Sequence, residues 1–402
     1  MSLNSITASS EFEHSPERGN WETEKKFLPT EPHAFEYLRQ WCEPVHIEQI
    51  YLSDPSENVS LRVRKSIHEN REPHYSATLK SEARIVPNGM LRRETETPIS
   101  QQAFEAYQAS DAPRLFKTRI EPYPGVTIDW IDGLEEPIIE IEDIGINEQA
   151  QQFYQEHRSL LRDMTGEHAV DNEWLAHEIA PTEKVERPTP SVDAMLNVIE
   201  GYRHYGVSPI VVTIDGRSGS GKTTIARELG YRAGDSLILS TDDYHRGKKW
   251  LEAHNGGKPW TDWDAPIVYD TETLAEDIAT LREGQPVPRR YFDFADQEAH
   301  TADSITRIPN VLIIEGIHAG TKNLEGIRHA HFTVSTPLAT SIARDIERLR
   351  TSDRPNGSIR SPEERLRYQL ESAEPAFQAI ERVGKPQLST RGRRVVLAAA
   401  SR

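Results

Sequence analysis

Gly216-Arg217-Ser218-Gly219-Ser220-Gly221-Lys222-Thr223 satisfies every defined position of a phosphate-cradling P-loop, and its reading decides the fold of the C-terminal half. Glycines at this spacing let successive backbone N–H groups curl around phosphates, and the dipole of a following helix adds to the attraction. The flanks agree. Ile210–Ile214 is a short apolar run, as in a strand buried on both faces, and a helix is predicted from Lys222. Lys222 is expected to reach the β- and γ-phosphates of ATP and Thr223 to bind Mg²⁺; Gly216, Ser218, Gly219, Ser220, Gly221 and Thr224 complete the cradle. A chance glycine-rich turn is the bland alternative, and the strand–loop–helix context argues against it.

Working outward, strands are predicted at Ser236–Ser240, Val311–Ile314 and His331–Val334, with helices at Thr271–Glu283, Leu338–Arg350 and Pro362–Arg382. Strands alternating with helices give an α/β domain with a mostly parallel sheet flanked by helices. An acidic residue at a strand tip faces the ligand crevice of such a sheet. Asp242 is therefore a candidate base for a substrate hydroxyl, and Glu315 a candidate Mg²⁺ ligand; Asp243 reads as a cap or solvated turn. Arg344, Arg348 and Arg350 precede the polar segment Thr351–Ser361 and are placed to close over transferring phosphates. A solvated face with Asp345–Arg348 and Glu347–Arg350 pairs accounts for them equally well.

The N-terminal half has another texture. Short segments of period two run at Trp21–Phe27, His46–Ser53, Val59–Lys65, Tyr75–Lys80, Leu91–Thr97, Arg114–Ile120, Val126–Ile131 and Pro137–Ile144, with turn residues such as Pro87-Asn88-Gly89 between them. Helices are predicted at Pro32–Trp41, Ser100–Ala109 and Asn147–Met164. This is an antiparallel β domain, 18–175, after a disordered tail, 1–17. The proline-rich stretch Ala180–Pro190 lies in a linker with a lead-in helix, 176–207, and the P-loop domain occupies 208–402. The last stretch, Lys385–Arg402, reads as a strand at Arg394–Leu397 or as a tail.

Charges recur two residues apart on single strands: Glu22/Glu24/Lys26, Arg62/Arg64, Glu94/Glu96, Lys117/Arg119 and Glu140/Glu142. Such residues share a face, and the opposite faces carry Phe27, Leu61, Val63, Ile139 and Ile141. A sheet with one wet face and a closed barrel with a charged lumen both satisfy the pattern.

Composition bounds the rest. The length of 402 residues favours two or three domains, and a single cysteine, Cys42, excludes an internal disulfide framework and a cysteine metal site. A net charge of −17 argues against a general nucleic-acid binder, though a small anion can sit in a locally basic pocket. No apolar run spans a bilayer, and the polar N-terminus lacks signal-peptide features, so a cytoplasmic protein is expected.

From Ser208 to Arg382 the motifs resemble the uridine kinase and phosphoribulokinase family. The P-loop, Leu239-Ser-Thr-Asp242-Asp-Tyr-His, Trp263-Asp264-Ala-Pro266 with Asp270, Tyr291-Phe-Asp293-Phe294, Leu312-Ile-Ile-Glu315-Gly316 and Ile342-Ala-Arg344-Asp345 follow in the family's order. The resemblance implies Asp242 as catalytic base with Lys222, Arg344 and Arg348, and Asp264, Tyr291 and Asp293 at a nucleoside-like or small hydroxylated acceptor. Two departures stand out: Ala265 replaces a usual His, and an inserted Phe292 precedes a segment lacking the His and Arg that would contact a pyrimidine.

From Trp21 to Met164 the segments resemble the CYTH domain, the triphosphate tunnel metalloenzymes. Glu22-Thr-Glu24-Lys-Lys26, Gln49-Ile-Tyr51-Leu, Ser60-Leu-Arg62-Val-Arg64, Thr78-Leu-Lys80, Arg92-Arg-Glu94-Thr-Glu96, Lys117-Thr-Arg119, Ile128-Asp129 and Ile139-Glu140-Ile-Glu142 fall in that family's order. The resemblance implies an eight-stranded tunnel barrel. In it Lys26, Arg62, Arg64, Lys80, Lys117 and Arg119 hold an inorganic polyphosphate or nucleoside triphosphate. Glu22, Glu24, Glu94, Glu96, Glu140 and Glu142 hold Mg²⁺ or Mn²⁺ for hydrolysis. A bifunctional kinase–phosphohydrolase is the leading expectation. Its rivals are a nucleotide sensor joined to a binding module, and a protein in which one half is a degenerate regulator.

Overall fold

The computed structural model describes residues 21–31, 33–86, 89–179, 190–351 and 361–382. The N-terminal tail, nearly all of the linker stretch, Pro87-Asn88, most of the Thr351–Ser361 segment and Lys385–Arg402 lie outside them. The chain divides into two compact units, Met1–Glu183 and Lys184–Arg402.

In the first unit the period-two segments form β1 (Trp21–Pro29), β2 (Val45–Tyr51), β3 (Val59–His68), β4 (His74–Val86), β5 (Gly89–Pro98), β6 (Arg114–Tyr123), β7 (Val126–Ile131) and β8 (Ile138–Glu142). All pair antiparallel in the order β5-β4-β3-β2-β6-β7-β8-β1, and β1 also pairs with β5, which closes the sheet into a barrel. Closure settles the open question of the sequence in favour of a charged lumen. Register places opposite charges side by side: Lys26 beside Glu140, Lys80 beside Glu94, Arg119 beside Asp129 and Glu22 beside Arg92. The alternate residues point outward. Phe27, Ile128, Ile139 and Ile141 pack on Ala150 and Phe153 of a helix, each buried side chain contributing about 2 kcal/mol.

Three helices accompany the barrel: α1 (Gln101–Gln108), α2 (Glu148–His157) and α3 (Asn172–Ile179). The helix expected over Asn147–Met164 stops early. Leu161–Asp163 instead forms a short strand, β9, on the end of β1, because Leu160 and Leu161 join the apolar cluster and Asp163 meets Lys25 at 3.0 Å. Pro32–Trp41 yields only a 3₁₀ turn over Glu36–Gln40. Helix α3 lies outside the helices predicted for this half.

In the second unit β10 (Ile210–Gly216), β11 (Ser236–Ser240), β14 (Val311–Glu315) and β15 (Ala330–Val334) form a parallel sheet in the order β11-β14-β10-β15. Both of its faces are covered. Helices α4 (Val192–His204) and α5 (Lys222–Ala233) bring Met195, Ile199, Ala226 and Leu229 to one face; α7 (Thr271–Arg282) brings Leu274, Ile278 and Leu281 to the other. Unforeseen elements are α6 (Lys248–His254) and a hairpin of β12 (Val287–Asp293) with β13 (Glu298–Ile305). Helix α8 (Leu338–Thr351) follows the sheet. The helix expected over Pro362–Arg382 is α9 (Pro362–Tyr368), a π-helical turn over Gln369–Ala373, and α10 (Glu374–Arg382).

Where β5 closes against β1, Gly89 has a φ of +137°, and a Cβ there would collide with the carbonyl oxygen of Glu24. Gly89→Ala is expected to destabilise the first unit by about 2 kcal/mol or more, measured by urea denaturation. An unchanged midpoint would contradict the closure.

Candidate functional site

The P-loop leaves the C-terminal end of β10 and enters α5 at Lys222. Gly219, at φ +77°, lies against the Ser341 carbonyl of α8 so closely that no Cβ fits. Lys222 Nζ approaches the Arg217 carbonyl at 3.4 Å, and Thr223 Oγ1 donates to Glu315 Oε2 at 3.2 Å. Register brings the tip of β14 between β10 and β11, so Glu315 stands beside Ser240 and Ile214. Burial raises the Glu315 carboxyl above its ordinary value, Lys222 counteracts this, and the Asp242 charge adds to the rise. Burial, followed by the same Asp242 charge, pushes Asp243 up to about 6. Crowded carboxylates beside a threonine hydroxyl form a hard-oxygen donor set that suits Mg²⁺.

Asp242 is exposed and borders one cleft together with Ser218, Lys222 and Thr223. The cleft's far wall is aromatic. His245 stacks on Trp263 at 5.4 Å and meets Phe292 at 4.1 Å, while Tyr269 and Phe294 complete the wall. Asp264 belongs to the cleft, and its Oδ2 accepts from the Tyr368 hydroxyl at 2.6 Å.

A buried carboxylate, Asp345, organises the phosphate side. It accepts from Ser218 Oγ at 3.2 Å, from Arg365 Nε and Gln369 Nε2 at 2.5 Å each, and from Arg348. Burial opposes its ionisation, but Arg365 and Arg348 outweigh that and hold it down at about 2. The π-helical turn puts Gln369 in reach of Asp345, and Glu374 beyond it clamps Arg217 of the P-loop at 2.7 and 2.8 Å.

Several expected residues fall elsewhere. Tyr291 and Asp293 do not border the cleft. Strand alternation turns the inserted Phe292 into it, and Asp293 Oδ1 caps the hairpin turn by accepting from the Ala295 amide. Arg344 and Thr224 are exposed and lie outside the lining, which includes Arg348 and Thr223 instead. Arg365 and Tyr368 were missed, although they sit three apart in a predicted helix and so share a face.

In the first unit Glu22, Glu24, Glu94, Glu96, Glu140 and Glu142 share one lumen cavity with Lys26, Arg62, Arg64, Lys80 and Arg119. Lys80 Nζ reaches Glu94 at 3.0 Å, Glu24 at 3.3 Å and also Glu22. Glu140 receives Lys26 at 3.1 Å, Arg119 at 2.9 Å and the Asn172 amide at 3.3 Å. Lys117 does not line the cavity: it is fully buried behind Arg119, and both hold Asp129 at 2.6 Å. Burial pushes the Glu22 carboxyl up to about 8 against the pull of Lys80, and it raises Glu142, which has no ion pair among the described residues. Burial, with Arg62 and Arg119 alongside, pushes Arg64 down to about 10, and its buried Nε lacks an acceptor among the described residues. Uncompensated carboxylates and guanidinium groups in one lumen fit divalent cations together with a polyanion. Tyr51, Ser60, Arg92 and Asp171-Asn172-Glu173 also line it, unforeseen.

A family model for the phosphoribulokinase / uridine kinase family matches residues 211–345. A uridine kinase of Geobacillus kaustophilus (strain HTA426) is 33% identical over 117 residues, 28% of this chain and 53% of that protein. Another, of Staphylococcus aureus (strain JH9), is 30% identical over 144 residues, 34% of this chain and 67% of that one. The chain spans about half the length of the first curated relatives it matches. A crystal structure described as an inorganic triphosphatase is 26% identical, covering 39% of this chain and 93% of that one at a TM-score of 0.25. Among the described residues no helix is long and apolar enough to cross a membrane.

Burial pushes the His245 imidazole down from 6.5 to about 4, and its Nδ1 accepts from the Gly247 amide at 3.1 Å. The unfolded chain therefore protonates first, and the second unit should lose stability as pH falls from 6.5 towards 4. His245→Gln is expected to flatten this part of the stability profile, read as denaturation midpoint against pH. A slope equal to that of the parent protein would refute the assignment.

Proposed function

Because this chain belongs, through its second unit, to the phosphoribulokinase and uridine kinase family, we propose that this unit transfers the γ-phosphoryl group of ATP to a hydroxyl of a nucleoside-like acceptor. One observation carries the reading: Lys222 and Thr223 of the P-loop share a cleft with the exposed Asp242 carboxylate. The loop amides and Lys222 hold the β- and γ-phosphates. Thr223 and Glu315 would hold Mg²⁺, which when bound neutralises charge on the transferring group. Asp242 takes the proton of the acceptor hydroxyl as that oxygen attacks phosphorus. Asp264, oriented by Tyr368, anchors further hydroxyls, and the aromatic wall excludes water and suits a planar ring. Arg348 and Arg365, both on Asp345, border the γ-phosphate side of the cleft.

For the first unit we propose metal-dependent hydrolysis of an inorganic polyphosphate or a nucleoside triphosphate. Lys26, Arg62, Arg64, Lys80 and Arg119 neutralise the phosphate chain from several sides. Glu22, Glu24, Glu94, Glu96, Glu140 and Glu142 would hold Mg²⁺ or Mn²⁺, which when bound supplies an activated water. A second reading, a slowly turning nucleotide sensor, is favoured by Phe292 and Phe294 standing where polar contacts to a base would serve selectivity.

Purified protein with ATP and Mg²⁺ is expected to release ADP in response to at least one member of a nucleoside and sugar panel. Lys222→Ala abolishes this, and Asp242→Asn lowers kcat by about 10²–10⁴-fold. No acceptor-dependent ADP across the panel would refute the kinase reading and favour the sensor.

The double variant Glu22→Ala/Glu24→Ala is expected to lose metal-dependent phosphate release from tripolyphosphate and keep the Lys222-dependent activity. Release that survives the double variant would refute the lumen site.

A further inference from the structure

The helix that ends the described part of the second unit is irregular between α9 and α10. There the Glu374 amide donates to the Gln369 carbonyl, an i→i+5 bond that takes one extra residue into the turn over Gln369–Ala373. In a regular α-helix side chains five apart point about 140° away from each other. Here the two residues joined by that bond both reach the P-loop assembly. Gln369 Nε2 donates to Asp345 Oδ2 at 2.5 Å, and Asp345 accepts in turn from Ser218 Oγ at 3.2 Å. Glu374 takes Arg217 directly, from Nε at 2.7 Å and from Nη2 at 2.8 Å. Consecutive residues of the loop are held from the two ends of one π-turn.

The Arg217 contact is rigid. Two parallel bonds fix a guanidinium in plane as well as in position. Glu374 is 7% exposed and also accepts from Gln378 Nε2 at 2.6 Å, and the guanidinium stands over the Phe377 ring at 4.8 Å. Phe377 is itself buried among Leu251, Val268, Tyr269 and Ile317.

What Arg217 does for the loop lies in its backbone. Its carbonyl accepts from the Ser220 amide at 3.1 Å and from Lys222 Nζ at 3.4 Å. The orientation of that one peptide group sets the curl of the loop and the resting place of the lysine. Because side chain and carbonyl leave the same residue, fixing the guanidinium restricts how far the carbonyl can turn.

We propose that Glu374 and Gln369, brought to one side by the π-turn, are positioning residues that hold the P-loop in its phosphate-binding shape, so that nucleotide affinity depends on α10. Glu374 does this from 157 positions along the chain. The proposal rests on the kinase reading of the second unit and adds the element that sets its nucleotide site.

The test is calorimetric titration of the full-length protein with ADP and Mg²⁺, the Lys222→Ala protein giving the signal of any other site. Glu374→Ala and Arg217→Ala are each expected to raise the Lys222-dependent Kd about 10-fold, and the double variant no further, since either change releases the same contact. Glu374→Gln keeps the shape of the side chain and loses its charge, and its Kd is expected to lie between those of the parent and the alanine variant. An unchanged Kd in Glu374→Ala, or in Glu374→Gln should the alanine variant not fold, would overturn the proposal and leave the kinase reading standing. A double variant whose loss is the product of the two single losses would do the same. No Lys222-dependent ADP binding by the parent protein would overturn both.

Discussion

A carboxylate removed from water must be given cations or hydrogen-bond donors, and both units are organised around that requirement. In the first unit the closed sheet forces alternate side chains inward. The sequence fills many of those positions with acids and bases, so several strand neighbours become charge partners, although Glu24 lies in register with Glu142. Glu140 draws Lys26, Arg119 and Asn172 to itself; Asp129 draws Lys117 and Arg119. In the second unit Asp345 does the same for Ser218, Arg348, Arg365 and Gln369, and ties the P-loop to three helices. What is left over after this pairing is informative. Glu142 and the Nε of Arg64 remain uncompensated in the lumen, and that imbalance is what a metal–polyphosphate complex would relieve.

Much of the architecture was legible because two periodicities dominate the chain. Segments of period two placed seven of the eight barrel strands within three residues of their observed ends, while β4 runs on to Val86, six residues past its expected end at Lys80. Continuous apolar runs ending in Gly216, Ser240 and Glu315 marked the parallel sheet. Closure was not legible from periodicity, since it depends on β1 pairing with β5 and β8 at once, a long-range fact with no local signature. The missed elements share a cause. Helix α3 has eight residues, β9 has three, and the α9–α10 helix conceals a π-turn. Each is fixed by what it packs against, so short-range propensity says little about it.

The sites divide in the same manner. Residues carried by a motif on a strong element, such as Lys222, Thr223, Asp242, Glu315 and the lumen glutamates, stand together. Residues inferred from a neighbourhood do less well. Arg344 and Thr224 are exposed and lie outside the cleft lining, and on β12 it is Phe292, not its neighbours Tyr291 and Asp293, that faces the cleft. A one-residue shift in a strand always has this effect, because a side chain's face is set by parity. Lys117 failed for another reason: it has the right parity but lies too deep, where its ammonium serves Asp129.

The position of α3 in the chain has a bearing on assembly. All eight staves of the barrel precede it, so a growing polypeptide can complete the hoop before the bottom is fitted. The element that turns an open cylinder into a vessel is the last one made in this unit, and it seats on Tyr51, Leu115, Ile131 and Ile138, contributed by strands already emerged. Chain order thus leaves the interior, with its dense charge, hydrated until the strands around it have paired.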